Sequence, residues 1–97
     1  MLNVDGDGFL LNRNDWNEDV MKELITKDGL ELTDEIKALV VTLREEFEST
    51  GTVLPLRNFS KLTGGDRKGT HLNKIFNGGP MKVLARISGL PKPTGCV

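Results

Sequence analysis

The apolar positions of this chain come in short clusters separated by glycine, proline and acidic residues, and their spacing predicts a series of short helices. The opening stretch MLNVDGDGFLLN (1–12) reads differently. Asp5-Gly6-Asp7-Gly8 lies between brief apolar runs, which is turn chemistry and predicts a small N-terminal β-hairpin. Asn14 or Asp15 then offers a cap for a helix with Trp16, Val20, Leu24 and Ile25 on one face, ending near Gly29. Thr33 caps the next, with Asp34 and Glu35 in the first turn, where the helix dipole favours negative charge. Its stripe of Ile36, Leu39, Val40, Leu43 and Phe47 follows i, i+3, i+4, i+7, i+11 until Gly51 stops it.

Pro55 suits the first turn of a short helix bearing Leu56, Phe59 and Leu62, halted by Gly64-Gly65. Thr70 starts another, with Leu72, Ile75 and Phe76 apolar, ending at Gly78-Gly79. Pro80 opens a last helix from Met81 to about Ser88, with Val83, Leu84 and Ile87 inward and Gly89 closing it. The prolines and glycine of Leu90-Pro91-Lys92-Pro93-Thr94-Gly95-Cys96-Val97 forbid further helix. The expected fold class is therefore α+β and predominantly helical. Four to five short helices pack with a small N-terminal β-hairpin, a helix-turn-helix-like pair sits in the C-terminal half, and a mobile arm ends the chain. A single domain spans 1–97, divided into a hairpin (1–12), a helical array (14–88) and a flexible arm (89–97).

Composition agrees with one domain. The chain has 97 residues, 37% of them hydrophobic, enough for one modest core. No apolar run is long enough to span a membrane and no secretory h-region follows Met1, so a reducing cytoplasm is the expected compartment. One cysteine excludes an internal disulfide framework and a Cys-rich zinc site. The net charge of −1 hides a split: residues 1–50 carry five Lys/Arg against thirteen Asp/Glu (−8), and residues 51–97 carry eight against Asp66 alone (+7). The basic half suits a phosphate or an acidic protein, and the two halves also suit each other within one fold.

Several motifs compete for function. Asn3 to Leu10 imitates the start of a calcium loop, but its twelfth position is Asn14, where a bidentate glutamate is needed, and a plain β-turn is the better reading. In the helix-turn-helix-like pair, Lys68, Thr70, His71, Asn73 and Lys74 are plausible weak contacts to a nucleic acid, as on any solvated helix face. His71, the only histidine, reads as a surface or packing residue. Cys96 is different. It is penultimate and lies beyond Pro91 and Pro93, on an arm that could reach about 25 Å from Leu90 when extended. Its place excludes prenylation, which needs a cysteine four from the end. A thiol on a swinging arm suits covalent carriage of a small group between proteins. Arg86 and Lys92 nearby favour its thiolate, and the Val97 carboxylate opposes it.

The ending Arg86-Ile87-Ser88-Gly89-Leu90-Pro91-Lys92-Pro93-Thr94-Gly95-Cys96-Val97 resembles the C-terminal signature of the DsrC/TusE family of sulfur-carrier proteins. Weaker correspondences run through Gly8-Phe9-Leu10, Asn14-Asp15-Trp16, Leu30-Glu31-Leu32-Thr33, Leu43-Arg44-Glu45-Glu46-Phe47 and Gly79-Pro80, so the resemblance covers nearly the whole chain. It implies a small hairpin on a compact helical array, a mobile arm, and a penultimate cysteine, here Cys96, that takes up sulfane sulfur as a persulfide. Its implied partners are a persulfide-donor sulfur-relay protein and a sulfur-acceptor enzyme. The acceptor is a tRNA thiouridylase in the TusE branch and dissimilatory sulfite reductase in the DsrC branch, where the carrier is gamma-subunit-like.

The chain departs from DsrC proper where that protein carries a second cysteine, which here is Ala85. The two-cysteine trisulfide chemistry is therefore expected to be absent, leaving a one-cysteine carrier on Cys96 with Arg86 and Lys92 in support and no cofactor or metal. The chain also looks shortened around Gly64-Gly65 and lacks the tyrosines common in the family's fourth helix. A second reading is a regulatory or binding module that contacts DNA or a sulfite-reductase complex through its basic C-terminal half. No phosphate loop or acid/base pair supports a free-standing enzyme.

Overall fold

The computed structural model describes residues 3–93. Five α-helices follow a one-turn 3-10 segment at Arg13–Asp15: α1 (Glu18–Lys27), α2 (Asp34–Thr50), α3 (Leu56–Leu62), α4 (Thr70–Phe76) and α5 (Pro80–Ile87). The last of these is the hub, packing on α1, α2 and α4. Pro80, Met81, Leu84, Ala85 and Ile87 are all buried on it, and each fully buried large aliphatic contributes about 1.5–3 kcal/mol relative to exposure.

Local chemistry explains the boundaries. Asn12 caps the 3-10 turn by accepting from the Asn14 N–H. The cap of α1 is Asn17, which accepts from Val20 N–H; Asn14 and Asp15, the expected caps, lie within the preceding 3-10 turn instead. Trp16 therefore precedes α1, and Met21, Leu24 and Ile25 form its buried stripe. Thr33 caps α2 as expected, and Gly51 ends it in a left-handed conformation. On α3, Leu62 is 51% exposed rather than inward. The reason is Ser60, whose buried hydroxyl donates to the Asp66 carbonyl at 2.6 Å and draws the following loop onto its side. The buried residues of α3 are Phe59 and Ser60, with Leu56 half-buried, and Leu62 faces out. Val83 is only half-buried.

The expected hairpin over 1–12 is not formed as strands: among the described residues there is no sheet, only one antiparallel bridge between Val4 and Leu10. Phe9 and Leu10 are consecutive and both buried, which breaks the in–out alternation of a strand. The turn itself is well built, since the Asp5 carboxylate accepts from the N–H groups of both Asp7 and Phe9.

The segment expected to be a mobile arm is described as far as Pro93. Over that stretch it is docked: Gly89, Leu90 and Pro93 are buried, and only Pro91 and Lys92 are exposed. Two more prolines and an apolar residue leave little polar backbone to solvate, so this root packs against the body. Residues 94–97, Cys96 among them, lie outside the described residues.

Candidate functional site

The root of the arm is fixed by a clamp around the end of α5. The Trp16 indole N–H donates to the Ile87 carbonyl at 2.8 Å, and the Arg44 guanidinium donates to the Ser88 carbonyl. These are two of the carbonyls a helix end leaves unpaired. Arg44 also stacks on Trp16, with Cζ 3.9 Å from the ring centroid; burial lowers its pKa, Glu48 opposes that, and neighbouring Arg13 adds to it. Gly89 has φ 69°, and a Cβ there would meet Trp16 Cδ1 at 2.6 Å. Only glycine supplies both that backbone conformation and that close approach.

On another side, Arg86 and Lys92, the supporting residues expected from sequence, converge on the Asp5–Gly8 turn. The Arg86 guanidinium donates to the Asp28 carboxylate at 2.7 Å and to the Asp7 carbonyl at 3.3 Å. Its side chain is only 18% exposed. The Lys92 ammonium donates to the Asp7 carboxylate at 3.0 Å. That hydrogen bond, followed by the Lys92 charge, holds the Asp7 carboxyl below its usual value. Arg86 is thus a neutralised tie between the turn, α1 and α5, and Lys92 ties the arm's root to the same turn. A cleft of about 270 Å³ lies beside them, and there the second Asp28 oxygen is buried without a hydrogen-bond partner.

A larger cleft of about 320 Å³ opens next to Leu90, lined by Arg13, Arg44, Phe47 and Glu48 among others. The Arg13 guanidinium lies over the Phe47 ring, 4.9 Å from its centroid. A third depression, about 180 Å³, shares Phe47 and Gly51 with it and is walled on its other side by Pro91, Lys92 and Pro93. The arm's root therefore runs along the C-terminal end of α2. Sequence reasoning placed Trp16 on a helix face and gave Arg13 and Arg44 no role; their partners lie far along the chain, and no local spacing signals them.

Three of the five nucleic-acid candidates, Thr70, His71 and Asn73 but not the cations Lys68 and Lys74, have side chains engaged within the fold. His71 Nε2 contacts the Glu35 carboxylate on α2 at 2.8 Å, Thr70 bonds Asp66 through both its N–H and its hydroxyl, and the Asn73 amide donates to the Lys68 and Gly69 carbonyls. Of the four ion pairs among the described residues, three join the basic half to the acidic half: His71–Glu35, Arg86–Asp28 and Lys92–Asp7. The charge split thus serves the fold in part, since Arg57, Lys61, Arg67, Lys68, Lys74 and Lys82 make no ion pair among the described residues. Ala85 is fully buried on α5.

The whole of this architecture has known counterparts. The family described as "DsrC like protein" matches residues 1–97. The chain belongs to the DsrC-like family. Among relatives, it is 30% identical to the Haemophilus influenzae protein named "Sulfurtransferase TusE homolog", covering 100% of both chains. It is 33% identical to the Nitratidesulfovibrio vulgaris protein named "Sulfite reductase, dissimilatory-type subunit gamma", covering 97% of this chain and 89% of that one. The fold matches the solution structure of Allochromatium vinosum DsrC with a TM-score of 0.83 at 40% identity, over 97% of this chain and 88% of the other. Both branches implied by the C-terminal resemblance are thus represented among the relatives of this DsrC-like chain. Among its described residues, no helix is long and apolar enough to cross a membrane.

Proposed function

We propose that this DsrC-like chain is a sulfur-relay carrier that accepts sulfane sulfur on Cys96 and passes it to a partner. The observation that carries the reading is the family match over the full chain, with relatives named as TusE sulfurtransferases and as a sulfite reductase gamma subunit. In the loading step the Cys96 thiolate attacks the outer sulfur of a persulfide on a donor protein. One S–S bond forms to Cys96, the donor's S–S bond breaks, and the donor leaves as its thiolate, so there is no net oxidation. The acceptor then takes that sulfur by the same exchange in reverse.

The geometry supports this role in two ways. Trp16, Arg44, Arg86 and Lys92 hold the stretch just before the cysteine, so Cys96 is only three residues beyond a docked Pro93, a span of at most about 11 Å. Arg86 and Lys92 support the reaction by fixing that root. With Ala85 buried on α5, the chain offers no second thiol, which favours single-persulfide delivery, of the TusE kind to a tRNA-thiolating enzyme or in a one-cysteine DsrC-like sulfur metabolism, over two-cysteine chemistry with a sulfite reductase.

Intact-protein mass spectrometry, before and after incubation with a cysteine desulfurase or a persulfidated donor, tests this. One added sulfur atom, removed by reduction and absent from Cys96→Ser, is the expected result. Sulfur still carried by Cys96→Ser, or no adduct while Cys96 reacts freely with an alkylating agent, would overturn it.

A further inference from the structure

Among the clefts and charged clusters, the Arg13–Arg44 cleft is an unassigned surface. We infer that it is a docking site for a single carboxylate side chain of a partner protein.

Two guanidiniums meet in this cleft, and both are held by aromatic faces rather than by acids. Arg13 lies on Phe47 and Arg44 on Trp16, and among the described residues neither makes an ion pair, in contrast to Arg86 and Lys92. Glu48 lines the same cleft and is the acid that acts on Arg44, so two cations face one anion. Stacking fixes each guanidinium plane without using its donor edges, which leaves N–H groups oriented for a planar, bidentate acceptor. Arg44 already commits one donor to Ser88, and its partial burial makes a further anionic partner worth more than at an open surface.

The occupant follows from the surroundings. Asp15, Glu45 and Glu48 are exposed on the elements that carry the two arginines. A polyphosphate backbone laid across this face would meet those carboxylates, whereas a single side chain entering the cleft would not. Beside Arg13, Leu11 is 70% exposed. Arginine next to apolar surface is the composition of protein–protein contacts. Leu90, the first residue of the arm's root, lines the same cleft. The inference rests on the carrier reading in one respect: a protein that exchanges sulfur with this arm must cover the adjoining surface.

The test is a titration of the ¹⁵N-labelled full chain, followed by NMR, with a short capped peptide carrying one glutamate among glycines and serines, the same peptide with glutamine in its place, and an oligouridylate. Saturable shifts at Arg13, Asn14, Gly51 and Leu90 with the glutamate peptide alone are expected, weakening with salt. Arg13→Gln should weaken that binding about tenfold, the loss of one charge-assisted hydrogen bond, and Arg13→Lys should recover part of it. No saturable shifts at these residues, or tighter binding of oligouridylate there, would overturn the proposal. Normal sulfur loading without peptide binding sinks this inference alone, and peptide binding without sulfur loading sinks the carrier reading alone.

Discussion

Replacing Gly89 with alanine isolates the clamp at the root of the arm. Two penalties should combine. The left-handed backbone at φ 69° costs an L-residue about 1–2 kcal/mol. The new Cβ would also lie 2.6–2.8 Å from three atoms of Trp16, where carbon atoms normally sit about 3.5–4.0 Å apart. Trp16 must therefore shift by about 1 Å, which breaks its hydrogen bond to the Ile87 carbonyl and disturbs its stacking with Arg44. Losing that bond costs about 1 kcal/mol and the stacking about 0.5–1. The expected destabilisation is about 3 kcal/mol, most of it recoverable only by moving the arm's root. Gly51→Ala is the control, because Gly51 has φ 76° and nothing within 4 Å of the added Cβ; it should cost only the backbone strain of about 1–2 kcal/mol. Urea unfolding followed by fluorescence reads both quantities, since Trp16 is the single tryptophan. Equal losses in the two variants, with native Trp16 emission unchanged in Gly89→Ala, would refute the clamp.

Two further outcomes follow from the same region. Because Lys92 holds the Asp7 carboxyl below its usual value, the contact is fully present above the unfolded carboxylate value near pH 4. It is lost as pH falls through the lower folded value. NMR shifts of Lys92 and the turn should therefore move together below about pH 4 and with added salt, and Asp7→Asn should show the released state at neutral pH; shifts of Lys92 that ignore both would disprove the tie. Ser88 is fully buried and its hydroxyl has no hydrogen-bond partner, so Ser88→Ala should leave stability unchanged or raise it by up to about 1 kcal/mol. A loss above about 1 kcal/mol in urea unfolding would show that the hydroxyl is bonded.

The helices were legible where one residue type decides them. Thr33, Gly51 and Pro80 set their boundaries through local chemistry, and the stripe from Ile36 to Phe47 points inward because about three turns of one period leave no alternative face. Short elements were less legible. In α3 a single serine hydrogen bond reorients the helix and exposes Leu62, and in residues 4–10 two adjacent buried side chains outweigh the turn's tendency to pair strands. The site was least legible. The ending announces Cys96 and its family, but the residues that hold the root are brought together across the chain: Trp16 with Ile87, Arg44 with Ser88, Arg86 with Asp28. A count of charge by half has the same blindness, because it ranks cations by number and not by engagement. It pointed to the second half as the partner-facing surface, yet Arg86 and Lys92 there, with His71, are engaged by acids of the first half, and only the remaining six Lys/Arg make no ion pair among the described residues. Arg13 and Arg44, outnumbered in the acidic half, are instead fixed on aromatic rings beside the arm, with donor edges still available. What makes a cation useful to a partner here is the absence of an internal carboxylate together with a rigid seat, and only the fold reveals either.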